Sequence, residues 1–172
     1  GRSAAAFIKD YGNIIVRELN LASVDYLTHA NGGVLSKRGM MLLAKKTEEE
    51  DFQREYKTFK LKEISISEAK EKIPLINTNT VTYSAYREDV SDIDTDMLFQ
   101  NYLKEARSFG AEVYTNSEII SISFENGRWN FITNVGEYSG EILINATGAW
   151  ADHTAQMAGI KTIGFTPFRR SI

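Results

Sequence analysis

Three short runs in this chain carry residue types that could do chemistry. In Ile144-Asn145-Ala146-Thr147-Gly148-Ala149-Trp150, an apolar run passes through small residues straight into a helical one. That pattern puts backbone N–H groups at a helix start, where small side chains let an anionic or planar ligand come close. Tight packing of a strand on a helix would use the same residues. The opening Gly1-Arg2-Ser3-Ala4-Ala5-Ala6 also begins a helical run with small residues and a hydroxyl. It suits a phosphate or the edge of a planar ring, and an ordinary alanine-rich helix start reads the same way. Phe168-Arg169-Arg170-Ser171 sets two arginines side by side. They fit a solvated face; turned inward, one guanidinium fork matches a carboxylate with two parallel hydrogen bonds.

Other reactive types have plainer readings. His29 and His153 are far apart, with no triad or metal-ligand spacing, and read as surface or helix-end residues. Asp92, Asp94 and Asp96 lack the glycine and distal glutamate of a calcium loop and read as a helix cap. The Glu48–Asp51 run reads as a solvated helix start, and Met40 and Met41 as packing.

The elements that must position these residues follow from periodicity. Alanines in SAAAFIKDY predict a helix, stopped at Gly12-Asn13. Ile15, Leu19, Ala22, Tyr26 and Leu27 predict a second helix, broken by Asn31-Gly32-Gly33. VLSKRGMMLLAK reads as strand interrupted at Gly39. Thr47 caps a third helix with acidic residues in its first turn, and a short helix starts at Ser67 and stops before Pro74. VTYSAYR alternates like a strand. Asp94 or Thr95 caps a helix with Leu98, Tyr102, Ala106 and Phe109 on one face and Gly110 after its end. AEVYT reads as a short strand. Ile120, Ile122 and Phe124, then Asn126-Gly127, then Trp129 and Phe131, read as a hairpin. EILINATGAW reads as a buried strand leading into a helix closed by Gly159, and an apolar, strand-like run precedes Ile172. This order predicts an α/β fold with a parallel element.

Composition limits the function classes. The 172 residues are 42% hydrophobic and 25% charged, which is globular rather than disordered. A net charge of −3 gives no electrostatic support for a nucleic-acid partner. With no cysteine, thiolate nucleophiles, disulfides and Cys-bound metal are excluded. No run approaches the roughly 20 apolar residues of a membrane span. No secretory signal is visible, and a cytoplasmic location is expected, with a peripheral membrane association left open. Gly1 opens the chain without a methionine and reads as the middle of a domain, so both ends look cut.

Taken together, GRSAAAF with Tyr11-Gly12, Asp92-Ile93-Asp94-Thr95-Asp96, INATGAW and PFRRS resemble the D-amino-acid oxidase (DAO) family of FAD-dependent oxidoreductases. Within it, the sequence is most similar to D-arginine dehydrogenase-type enzymes. The resemblance implies part of a Rossmann-like FAD-binding domain, lacking its first βαβ unit, with an interleaved α+β substrate domain. Residues 1–30 and 94–160 would lie on the FAD side, and 31–93 and 161–172 on the substrate side. It places Gly1, Arg2, Ser3 and Ala4 beside the FAD pyrophosphate and flavin, and the Ile119 backbone at the adenine. Ala146, Thr147 and Gly148 would contact the cofactor with Trp150 behind them. Arg170 would pair with a substrate carboxylate and Tyr11 would stand at the substrate pocket. The backbones around Ser3 and Thr147 would converge on one flavin nucleotide. The implied reaction oxidises the Cα–N bond of an amino acid, expected to be a D-amino acid, or of a small amine.

The sequence departs from that family in one decisive way. None of its 12 glycines forms G-x-G-x-x-G, the turn that cradles the pyrophosphate. The chain by itself is therefore expected to bind FAD weakly or not at all. Two other readings stand beside this one: a folded fragment without activity or FAD, and an α/β module for some other nucleotide. VLSKRGMMLLA, which would roof the substrate site, has no carboxylate to pair a cationic side chain. A preference for neutral or apolar amino acids is the expectation.

Overall fold

The computed structural model describes residues 5–168. The chain divides into two compact units, one ending at Gly110 and the other beginning at Ala111.

The first described element of the first unit is strand β1 (Ala6–Phe7), so the helix expected from SAAAFIKDY is not present among its described residues, 5–11. β1 pairs antiparallel with β6 (Ser91–Ile93), and this pairing overrides alanine's helix propensity. Asn13 caps helix α1 (Ile14–His29) rather than stopping an earlier one, its Oδ1 accepting from the Val16 N–H at 3.0 Å. α1 ends in a 3-10 turn at Ala30–Gly32. At Gly33, φ is +78° and a Cβ would sit 2.2 Å from the Thr28 carbonyl oxygen, so only glycine fits. β2 (Leu35–Lys37) joins β6 on its other side, giving the order β1-β6-β2.

Gly39 splits the long apolar run between two sheets. β3 (Met40–Ala44) belongs to the second, with β4 (Lys62–Glu63) and β5 (Tyr83–Arg87) in the order β3-β5-β4. A 3-10 turn (Lys46–Glu48) and helix α2 (Glu49–Thr58) follow β3. Thr47 is not the cap. Glu48 folds back to accept the Lys45 N–H at 2.9 Å, and that carboxylate bond outcompetes a threonine hydroxyl. α3 (Ile66–Lys72) is capped by Ser65 with Glu68 in a capping box, two residues before the expected start. The core of this unit is Phe52 against Ala44, Leu61 and Ala85, with Met40, Leu42 and Tyr83 around it. Period-two alternation thus turns Met40, Leu42 and Ala44 toward α2 and leaves Met41 and Leu43 on the opposite face. Helix α4 (Thr95–Ser108) is capped by Asp94, whose Oδ1 accepts from Met97 N–H at 2.8 Å.

In the second unit β7 (Ile119–Glu125), β8 (Arg128–Thr133) and β9 (Glu137–Gly140) form an antiparallel meander. Asn126 and Gly127 both have positive φ, +53° and +77°, as a two-residue primed turn needs. AEVYT and the segment 141–147 form no strand. The buried strand read from EILINATGAW is absent: Ile142 and Ile144 are 80% and 81% exposed. Apolar side chains make a strand only where a neighbouring strand supplies hydrogen bonds, and no described residue forms a ladder there. Every described ladder is antiparallel, so the expected parallel element is not present among them. A 3-10 turn (Gly148–Trp150) leads into α5 (Ala151–Met157). Residues 161–168, read as strand-like, are irregular and are tied back to α5 by Asp152, whose carboxylate accepts the N–H groups of Ile163 (3.2 Å) and Phe165 (2.7 Å). No described helix is long and apolar enough to cross a membrane.

Candidate functional site

In the second unit, the start of β7 and the turn into α5 enclose a cleft of about 370 Å³. Glu118, Ile119, Thr147, Trp150, His153, Thr154 and Met157 line it. Three residues singled out from the sequence, Ile119, Thr147 and Trp150, are therefore brought together, and Ala146 and Gly148 flank Thr147. His153, Thr154 and Met157 were not assigned to a site. Counted from Trp150 they fall at i+3, i+4 and i+7, the spacing of a single helix face, and that periodicity was the signal available for them.

A chain of neutral hydrogen bonds shapes the turn. The Thr147 hydroxyl donates to Asn145 Oδ1 at 2.8 Å, and the Asn145 side-chain amide donates to the Ala151 carbonyl at 2.8 Å. Thr147 Oγ1 lies 3.0 Å from Thr154 Oγ1. Because the Thr147 proton is already given to Asn145, Thr154 must be the donor to Thr147. Thr154 is buried, which makes this a bond that water does not replace. Gly148 takes φ +59°, with no atom near the position of a Cβ, so conformation rather than crowding favours glycine. On the opposite wall, Asn134 accepts the Glu118 N–H at 2.9 Å and so fixes the entry to β7.

Apolar walls from Ile119, Trp150 and Met157, with hydroxyls at one side, suit a flat heteroaromatic ring. The volume lies within the usual range for small-molecule sites, roughly 300–1,000 Å³. The residues present therefore fit one ring end of a dinucleotide. They do not fit its pyrophosphate, for which the chain has no glycine-rich turn. Among the described residues no group of three or more His, Asp or Glu side chains could hold a metal ion.

In the first unit, Tyr11 lies in a tight loop and is half exposed, its ring stacked on Phe59 with centroids 5.5 Å apart. The Asn20 amide donates to the carbonyls of Ile8 (3.4 Å) and Tyr11 (3.3 Å). Asp10, the preceding residue, accepts a hydrogen bond from Lys60 at 2.7 Å and pairs with Arg87 at 2.8 Å. Lys60 first, then Arg87, hold its carboxyl below the usual carboxylate range against the opposing effect of burial. Arg87 also binds Asp89 through two nitrogens, holding that carboxyl well below the usual range, and Asp89 pairs with Lys9 at 3.3 Å. Gly1, Arg2, Ser3, Ala4 and Arg170 lie outside the described residues.

Comparison with known proteins bears on what this arrangement serves. The family described as DAO, FAD dependent oxidoreductase, matches residues 2–172. Three solved structures share the fold. L-proline dehydrogenase from P. horikoshii is 24% identical with a TM-score of 0.71, covering 94% of this chain and 46% of that one. L-alpha-glycerophosphate oxidase from Mycoplasma pneumoniae, reduced and with FAD bound, is 16% identical with a TM-score of 0.74, covering 91% and 46%. Glycine oxidase from Geobacillus kaustophilus is 20% identical with a TM-score of 0.73, covering 92% and 48%. The chain thus spans about half the length of the structures it matches.

The family match runs over nearly the whole chain, which therefore belongs to the DAO family of FAD-dependent oxidoreductases, whose cofactor is FAD. The D-arginine dehydrogenase type is not singled out: the three structures described above are named for other substrates.

Proposed function

We propose that this member of the DAO family contributes half of a flavin site and part of a substrate site to an enzyme that oxidises the Cα–N bond of an amino acid. FAD, when bound, supplies the acceptor for the hydride lost from Cα, and water then hydrolyses the imine to a 2-oxo acid and ammonia. The observation that carries the reading is the cleft shared by Ile119, Thr147 and Trp150. There the Ile119 backbone, Ala146, Thr147, Gly148 and Trp150 would hold the nucleotide, with Gly1 to Ala4 running beside it. Arg170 would anchor the substrate carboxylate and Tyr11 would close over it, fixing Cα and excluding water. No general base is assigned. In this reading residues 1–30 and 94–160 serve the FAD side and 31–93 and 161–172 the substrate side.

Two of the three matched structures are named for amino acids, proline and glycine, which supports an amino-acid substrate of small or neutral side chain. The sheet face formed by Met41 and Leu43, with Ser84 and Tyr86 opposite them, also supports this, because it holds no carboxylate for a cationic substrate. A D-amino acid is our preferred configuration. An enzyme built on this chain that worked best on D-arginine or D-lysine would overturn the neutral-substrate reading.

FAD titrated into the 172-residue chain tests the nucleotide site directly. Weak binding is expected, with NMR shifts at the Ile119 and Thr147 amides and the Trp150 indole. Shifts confined to other residues, at FAD concentrations up to the millimolar range, would sink the assignment. The same titration tests the chief rival, a folded piece without FAD of its own: no saturable binding at all favours it.

A further inference from the structure

We propose that Arg87 is a positioning residue for Tyr11, and that one buried guanidinium sets where this ring can meet substrate. The inference rests on the reading of Tyr11 as a substrate contact. The Arg87 side chain is only 9% exposed, at the end of β5. Its Nη2 lies 2.8 Å from Asp10 Oδ1, an ion pair without hydrogen-bond alignment, on the residue directly before Tyr11. Its Nη1 donates at 2.9 Å to the carbonyl of Phe59, the residue whose ring lies flat against Tyr11. That carbonyl belongs to the end of α2, where helix carbonyls lack an intrahelical partner and favour a cation. Asp89 holds the fork in plane from its remaining side.

The same group therefore fixes both the backbone that carries Tyr11 and the surface on which its ring rests. Lys60, the residue after Phe59, adds a second tie to Asp10 at 2.7 Å, but its side chain is well exposed. A lysine in place of Arg87 offers a point charge without the planar fork and can serve only one of the two attachments. Ring stacking is weak on its own and Asn20 holds only the Tyr11 backbone, so the fork supplies the tie to the surface on which the ring rests.

The test combines structure and kinetics. In the 172-residue chain, Arg87→Lys is expected to lose the nuclear Overhauser contacts between the Tyr11 and Phe59 rings. In the FAD-loaded enzyme containing this chain, Arg87→Lys and Tyr11→Ala should each raise KM for the amino acid by about tenfold or more, with kcat changed far less. The double variant should be no worse than either single one, because both remove the same contact. Additive effects, or ring contacts that survive in Arg87→Lys, overturn the proposal. An unchanged KM in Tyr11→Ala instead overturns the substrate reading of Tyr11, while the ring contacts still decide whether Arg87 positions it. Should Arg87→Lys fail to fold, Asp10→Ala removes the acceptor of both Arg87 and Lys60 while sparing the Arg87–Phe59 bond, and must weaken the same ring contacts.

Discussion

Two short segments are held in place by opposite means. The loop of Asp10 and Tyr11 is fastened by charge: Lys60, Arg87 and Asp89 form a connected set of ion pairs around one buried guanidinium. The turn from Asn145 to Thr154 is fastened by neutral groups, an amide and two hydroxyls. Charge holds strongly but answers to pH and to loss of any one partner. Neutral bonds hold less strongly and are indifferent to pH. The loop is therefore the sensitive element and the turn the constant one.

The comparison is broken most severely by Arg87→Met, which leaves Asp10 with Lys60 alone of its two ion-pair partners and Asp89 with Lys9. Removing one member of a buried pair costs about 3–5 kcal/mol; with Asp89 half exposed and both carboxylates keeping a lysine, the low end of that range is expected, read as a fall in the denaturant midpoint of the first unit. Acid gives a smaller, reversible version. The Asp10 pKa is lowered chiefly by the Lys60 hydrogen bond, so its attachment is complete above the unfolded value of about 4 and is lost as pH falls through the folded one. NMR between pH 6 and pH 2 should show Tyr11 and Phe59 moving while Thr147 and Thr154 stay put. Next comes Thr154→Val, which leaves the Thr147 hydroxyl oxygen without its donor and should cost about 1–3 kcal/mol, read from thermal melting of the second unit. Smallest is Gly148→Ala. Space is free there but φ is +59°, so about 1 kcal/mol of strain is expected, with a slight drop in melting temperature.

The sequence carried the elements that rest on local chemistry. α1 follows from apolar spacing, α4 from apolar spacing and its Asp94 cap, and the hairpin from Asn126-Gly127. It misled where partners decide. Ala6 and Phe7 are strand because Asp92 and Ser91 lie opposite them, and Ile142 and Ile144 are unpaired despite a strand-like pattern. In the cleft, Thr147 and Trp150 were reached through likeness to a family, whereas Thr154 needed only its helical spacing. Arg87 could not be reached at all. An arginine followed by Glu88 and Asp89 looks like a wet surface, and only folding brings Asp10 and the end of α2 to it.

The tether from Asp152 has a consequence of its own. Residues 161–168 pair with no described strand, and two of their amides are bound by a single carboxylate of α5. The course of residues 163–165 is consequently tied to one side chain of a seven-residue helix. A swivel of that helix would swing that backbone with it, as a rudder stock turns its blade.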